Sequence, residues 1–287
     1  MKCLFACSLA LDKIIEIGLE KNEVTDIPLN SKAGPCKLFH YKDNLITVNY
    51  YDGSISIVSL RDKKEEYIIY TGKAPKDVKI LNDEAYVPCS ESNSLSIIDL
   101  LEKKMIMSIP LGINPCSIEI CNDSAYICNL EEGSISVIDC SKKILRENIK
   151  NIEYPIKIIK SKNNTFIYVC ESNLGCDKNG NINIYSLNSY ERQAKIAVGK
   201  TPIDMCITND FLYVSNFGES SISIIDLKLG REVSKIYLDY SPRLIAQDSG
   251  CIYCGDFIGG GIYEINLNNR EIKKIAQSKE PSAIIMI

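Results

Sequence analysis

A pattern of about 40 residues recurs along the chain, and no other feature limits its fold so tightly. Seven segments share one alternation: "GSISIVSL" from 53, "NSLSIIDL" from 93, "GSISVIDC" from 133, "GNINIYSL" from 180, "SSISIIDL" from 220, "GGIYEINL" from 260 and the looser "DKIIEIGL" from 12. Apolar residues alternating with small or polar ones have a period of two, which is the pattern of a β-strand. A second strand precedes each segment: "LITVN", "AYVPC", "AYICN", "IYVCE", "LYVSN", "IYCGD" and "LFACS". Ahead of six of these, a proline opens a third strand, at Pro35, Pro75, Pro115, Pro155, Pro202 and Pro242. A charged and apolar stretch such as "REVSKIYL" from 231 completes the unit. Four short strands in about 40 residues make one blade of a β-propeller.

The prolines also show how the ring closes. They recur at intervals of 40, 40, 40, 47 and 40 residues, and Pro281 follows 39 residues later. In the regular units the second strand starts ten residues after the proline, as Leu212 follows Pro202. Ten residues past Pro281 lies beyond residue 287, and carried round to the start the count lands on Leu4 of "LFACS". The seventh unit is therefore split, with "PSAIIMI" (281–287) as its first strand and residues 3 to about 28 as the other three. The expected architecture is all-β: one domain over 1–287, a seven-bladed propeller of four-stranded antiparallel blades. Blade 7 is shared between 1–28 and 277–287, and the C-terminal strand pairs with the N-terminal strands. Such pairing removes two open sheet edges. It also predicts that Ile284 to Ile287 are buried between blades, with the two ends within about 15 Å of each other.

"LYVSN" and "SISIIDL", together with "VGKTP" from 198, resemble the repeat of the YVTN-repeat β-propellers, and the resemblance runs over the whole chain. It implies a framework, not an activity, because what such proteins share is the residues that build the ring. It also implies that the proline-led strands line a central channel. One rim would then carry the loops before the prolines and those joining the second and third strands. On that arrangement the rim presents Tyr50, Tyr51, Asp52, Glu91, Glu131, Glu132, Glu171, Phe217, Glu219, Asp256 and Phe257, an acidic and aromatic set suited to a protein or peptide partner. The two residues after each proline would meet at the channel mouth, where Lys37, Lys76, Asp77, Lys157, Asp204 and Arg243 could frame a small-molecule pocket.

Charge and cysteine content narrow the function classes. A net charge of −4 and a pI near 5.3 give no broad basic footprint for nucleic acid. No apolar run approaches the roughly 18 residues that cross a bilayer, and the few residues ahead of Cys7 are too short for a secretion signal. A cytoplasmic monomer without membrane insertion is expected, with surface association left open by the resemblance. Thirteen cysteines cannot all pair within one chain, and most lie in alternating apolar segments, so they are read as small buried hydrophobes. Cys251 and Cys254 of "CIYC" have the spacing of a metal or redox motif, but three residues apart on a strand they point to opposite faces. No cofactor and no metal set is expected.

The fourth unit carries seven extra residues, two in "KSKNNT" and five in "ESNLGCDKNGN". Asp177, Asn179 and Asn181 do not match a calcium loop, whose glycine belongs at the sixth place rather than the fourth. Asn179-Gly180 is read as a tight hairpin turn that lengthens this part of the rim into a partner contact. The function expected is a non-enzymatic binding scaffold. The alternative is a metal-assisted hydrolase or lyase, lactonase-like, using Asp77, Asp204 and Glu119 at the channel. The single histidine, His40, falls at the far end of a first strand and offers the channel no base.

Overall fold

The computed structural model describes residues 2–21, 23–29, 32–173 and 175–287. Seven four-stranded antiparallel sheets stand in a ring as blades 1 to 7, blade 1 beginning at Pro35 and blade 6 at Pro242. In blade 7 the innermost strand, Pro281–Met286, lies against Cys3–Ser8, with Leu4 opposite Met286, Phe5 opposite Ile285 and Ala6 opposite Ile284. The backbone bonds continue past the strand ends. Cys3 N–H donates to Ile287 O at 2.9 Å, and Ile287 N–H donates to Cys3 O at 3.0 Å. Lys13–Gly18 and Glu23–Pro28 complete the blade, so the split read from the proline count is the split observed.

One expectation about this strand needs correction. Ala283 is buried, but Ile284 to Ile287 are only partly so. The strand is the innermost of its blade, so part of it borders the central channel, and Ile284 is among the channel-lining residues. Ile285 and Ile287 pack toward Leu38 and Leu45 of blade 1, while Ile284 and Met286 pack toward Tyr253 and Ile275 of blade 6.

The core is divided into seven apolar clusters, one at each blade interface. Between blades 1 and 2, for example, Ile46, Val48 and Ile57 meet Val78, Val87 and Ile98. Each middle strand is buried on both faces, which explains why "LITVN" has no charged residue and "SISIIDL" backs its apolar side with small serines. Where the second strand ends, an asparagine clasps the third. Asn49 Nδ2 donates to Ser54 Oγ and Ser56 Oγ at 2.9 and 2.7 Å, and Asn129 and Asn216 repeat the arrangement with Ser134 and Ser136 and with Ser221 and Ser223. The terminal asparagine and the paired serines of the repeat thus form a buried polar unit, three times over. The residue before the third strand takes a left-handed conformation in six blades: it is glycine in three (Gly53, Gly133, Gly260) and Asp12, Asn93 and Ser220 in the others.

Blade 4 differs from its sequence reading. Asn179 and Gly180 are not a hairpin turn but open the strand Asn179–Ser186, and Gly180 sits at an irregularity where the pairing skips a residue between Asn179 and Asn181. Glycine is needed there for space, since a Cβ would lie 2.2 Å from Pro202 Cγ and 2.6 Å from Glu171 O. The turn itself comes earlier, around Asn173 and Gly175, both with positive φ.

All 13 cysteines are free thiols. Cys254 packs between blades 5 and 6 and Cys251 between blades 6 and 7, on opposite faces of one sheet as expected for a strand. Cys176 is exposed, in the long loop of blade 4. Among the described residues no helix is long and apolar enough to cross a membrane.

Candidate functional site: the channel mouth and its rim

The inner strands share a local irregularity that shapes the channel. In blades 1, 3, 4, 5 and 6 the proline pairs with the end of the second strand, the next residue is skipped, and pairing resumes one residue later. Blade 7 does the same around Ser282. Such a bulge turns two successive side chains toward one side. Both residues after each proline therefore face the channel in two stacked tiers, and the six mouth residues, Lys37, Lys76, Asp77, Lys157, Asp204 and Arg243, line one central cavity of about 590 Å³.

The deeper tier is a ring of braces between blades. Asp77 Oδ2 accepts from Ser117 Oγ at 3.0 Å and from the Ile118 N–H at 3.3 Å, while Oδ1 lies 3.8 Å from Lys37 Nζ. Asp204 Oδ2 accepts from the Ile245 N–H at 3.1 Å, and Oδ1 lies 3.2 Å from Lys157 Nζ. Ser117 Oγ in turn accepts from the Ile158 N–H at 3.4 Å. Each of these side chains therefore reaches the backbone of the next blade, one residue beyond its own place in the repeat. Burial alone would raise the Asp77 carboxyl, but Lys37, Lys157 and Lys79 around it bring it below the ordinary aspartate value. Burial lowers the Lys37 ammonium, opposed by Asp77 and reinforced by the Lys157 cation. Burial also acts against the Lys157 charge, but the two aspartates outweigh it and hold that ammonium above the usual lysine value. One further pair, Lys79 with Glu119 at 3.0 Å, joins blades 2 and 3 below these. Lys79 was not singled out in the sequence, although it and Glu119 occupy the same place in successive repeats and carry opposite charges.

The upper tier, next to the mouth, consists of Cys36, Lys76, Cys116, Ile156, Ile203, Arg243 and Ser282. Its small polar members bind the neighbouring blade. Cys36 Sγ donates to Pro75 O at 3.5 Å, Cys116 Sγ to Pro155 O at 3.4 Å and Ser282 Oγ to Pro35 O at 2.6 Å. Burial pushes the Cys36 and Cys116 thiols up to about 12, so both stay protonated donors rather than thiolates. Lys76 Nζ lies 4.1 Å from the Tyr50 ring centroid, and the Arg243 guanidinium 4.0 Å from that of Phe257.

The rim residues fall into two groups. Several carboxylates hold backbone: Glu132 Oε2 accepts from Ile113 N–H, Glu219 Oε2 from Lys200 N–H and Glu171 Oε1 from Glu153 N–H, each at 3.1 Å and each two residues before a blade-opening proline. Glu171 is 1% exposed and pairs with Lys195 at 3.0 Å, and Glu219 pairs with Lys235 at 2.8 Å. Asp256 is buried and accepts from the Ile258 N–H, and Asp52 accepts from Ser54 Oγ. Glu91 and Glu131 stay exposed, the latter bonded to Asn114 Nδ2 at 3.0 Å. Tyr50 and Phe257 lie beneath the mouth cations, Phe217 lines the cavity, and Tyr51 meets Tyr50 edge to face and is 64% exposed. Ile113, Tyr154 and Ile258 were not singled out in the sequence, yet they stand exposed on the same rim, Ile258 at 76%. His40 is exposed at the opposite end of its strand. Among the described residues, no three histidine, cysteine, aspartate or glutamate side chains gather as a metal set would.

This geometry defines a closed seven-bladed propeller with a charged central cavity opening on one loop rim. Solved structures are similar to the chain in fold. A functionally unknown protein from Desulfotomaculum acetoxidans matches with a TM-score of 0.84 at 13% identity, over 99% of this chain and 98% of its own. Kuenenia stuttgartiensis hydrazine synthase matches with a TM-score of 0.81 at 17% identity, over 89% of this chain and 90% of its own. Apo AztD from Citrobacter koseri matches with a TM-score of 0.73 at 13% identity, over 100% of this chain and 97% of its own. At these identities the likeness concerns the fold alone. No family model and no curated protein sequence matches the chain.

Proposed function

We propose that this chain is a non-catalytic binding ring of the YVTN-repeat kind, which takes a small ligand, or the end of a larger one, into its central cavity and meets the remainder with its loop rim. One observation carries the reading: the six charged residues that follow the blade-opening prolines converge on a single cavity of about 590 Å³, a size that suits a small organic ligand. The exposed Tyr51, Ile113, Tyr154 and Ile258 supply apolar contact around it, and Glu91 and Glu131 supply charge for a protein or peptide partner. The recurring asparagine and serine clasps support the YVTN-repeat assignment. The aspartates that a hydrolase or lyase would need are engaged by lysines and by backbone N–H groups of the next blade, which fits a framework role better than acid–base work.

Native mass spectrometry tests the proposal. The purified protein, incubated with a small-molecule extract of its own cells, is expected to retain a defined added mass. Ile203→Trp, which fills the upper tier, is expected to abolish it. An adduct that survives this substitution would place the ligand elsewhere, and turnover of a lactone panel that depends on Asp77 would replace binding by catalysis.

A further inference from the structure

The charges of the cavity do not balance, and the imbalance is local. Five cations and two carboxylates line it. In the deeper tier Lys37 and Lys157 are answered by Asp77 and Asp204, and Lys79 is answered by Glu119 of the next blade. The upper tier contains Lys76 and Arg243 and no acid. Among the described residues neither has a carboxylate within ion-pair distance, and each rests only on an aromatic face. Lys76 comes from blade 2 and Arg243 from blade 6, and between them stand blades 7 and 1, whose upper-tier residues are Ser282 and Cys36. Both hydroxyl and thiol are already donating to backbone carbonyls. The sector thus exposes two cations and no anionic group to answer them.

Burial lowers the Lys76 ammonium, opposed first by Cys36 and Cys116; the Arg243 cation adds to the lowering, and Glu91 opposes it more weakly from the rim. Burial lowers the Arg243 guanidinium too, opposed by Cys36 and the more distant Glu280. Two like charges facing one cavity repel each other, and an anion placed between them offsets that repulsion. Tyr50 and Phe257 orient the two side chains and leave their remaining donors free toward the channel.

Resting on the binding reading above, we infer that the upper tier is an oxyanion site, in which Lys76 and Arg243 clamp the carboxylate or phosphate group of a small ligand entering from the rim. Lysine offers a point charge and arginine a two-pronged donor, a combination that suits either group.

Thermal melting with defined probes tests the site. At 10 mM citrate or inorganic phosphate, against sodium chloride of matched ionic strength, the wild-type protein is expected to gain about 3 °C, as millimolar binding to the folded state implies. Lys76→Met/Arg243→Met is expected to lose that gain while melting no lower than wild type in chloride. Lys104→Met/Lys228→Met, with the same charge change at exposed positions, is expected to keep it, which excludes a general salt effect. Lys76→Arg, which retains the cation, serves where the double variant fails to fold, and it too is expected to keep the gain. A gain with citrate alone marks a carboxylate ligand, and one with phosphate alone a phosphorylated ligand. No gain in wild type, or an equal gain in Lys76→Met/Arg243→Met, overturns the oxyanion site. An Ile203→Trp-sensitive adduct of neutral or cationic mass would leave the binding ring standing while this inference fell.

Discussion

Blade 7 is broken in sequence and regular in structure, whereas blade 4 is unbroken in sequence and irregular in structure. The strand Pro281–Met286 keeps its register with Cys3–Ser8 except for the bulge at Ser282 that blades 1, 3, 4, 5 and 6 share, and both faces of the blade are packed. Blade 4 has seven extra residues, an additional irregularity at Gly180, and Glu171 where blades 1, 3 and 5 place an asparagine. Its Asn183 is fully buried with neither side-chain Nδ2 nor Oδ1 bonded. What makes a blade, then, is a complete strand ladder with two apolar faces, and covalent continuity can be spared more readily than those. The two blades also meet their neighbours differently. At the deeper tier blade 4 is tied to blade 5 by Lys157 and Asp204, while blades 6 and 7 place the uncharged Leu244 and Ala283 there.

Removing Ser282 to Ile287 should have the largest effect. It strips the ladder from Cys3–Ser8, leaves two apolar clusters open, and removes more than the 5 to 15 kcal/mol by which a domain is usually stable. The truncated protein is expected to show no cooperative urea transition. A circular permutant that joins residue 287 to residue 1 through a short linker and opens the chain between Lys178 and Asn179 is expected to unfold within about 1 kcal/mol of wild type, because it moves the break to the rim of blade 4 and spares every ladder. Cooperative unfolding of the truncated form would break the comparison.

Asp204→Asn probes the brace between blades 4 and 5. It takes the charge from beside Lys157, a side chain only 13% exposed, and leaves that cation to the more distant Asp77. Losing one partner of a buried pair costs about 3 to 5 kcal/mol, and the remaining aspartate places the expected loss near the lower end. Urea denaturation reads it directly. A loss below 1 kcal/mol would mean that the charged brace adds no more to its interface than Leu244 and Ala283 add to theirs.

The ring was legible in the sequence because each blade repeats one pattern and the proline spacing records the split. The convergence of Lys37, Lys76, Asp77, Lys157, Asp204 and Arg243 was legible for the same reason, since all fall at two fixed places after a proline. What could not be read was the bulge that sends both places into the channel, because no residue type marks it and only the strand pairing shows it. The rim was legible as a location but less so in its chemistry. Glu132, Glu171 and Glu219 read as a presented acidic face, yet their carboxylates bond the loop just ahead of the proline, a partner 18 or 19 residues away that a local pattern does not disclose. Asn179-Gly180 shows the limit of local signals most clearly. The dipeptide is the strongest short hairpin cue, yet here the neighbouring Pro202 and the Glu171 carbonyl demand a residue without a side chain, and the packing decides.

The smallest expected effect returns to blade 4 and to the clasp it lacks. In blade 3, Ser136 Oγ sits in the place that Asn183 occupies, accepting from Asn129 Nδ2 and donating to Asn148 Oδ1, both at 2.9 Å. Asn183 brings a larger amide to the same buried place and bonds with neither end. An unsatisfied buried polar group costs about 1 to 3 kcal/mol, and Asn183→Ser removes two such atoms while setting a hydroxyl on the same side of the strand as the Glu171 carboxylate. Against this stands the space left by the shorter side chain, so the net gain expected is about 1 kcal/mol, seen as a higher urea midpoint with an unchanged slope. The opposite exchange, Ser136→Asn, should destabilise blade 3 by a similar or larger amount, because it breaks two bonds and adds an amide with no room. If both exchanges moved stability in the same direction, the difference between the blades would lie in side-chain volume and not in the polar clasp.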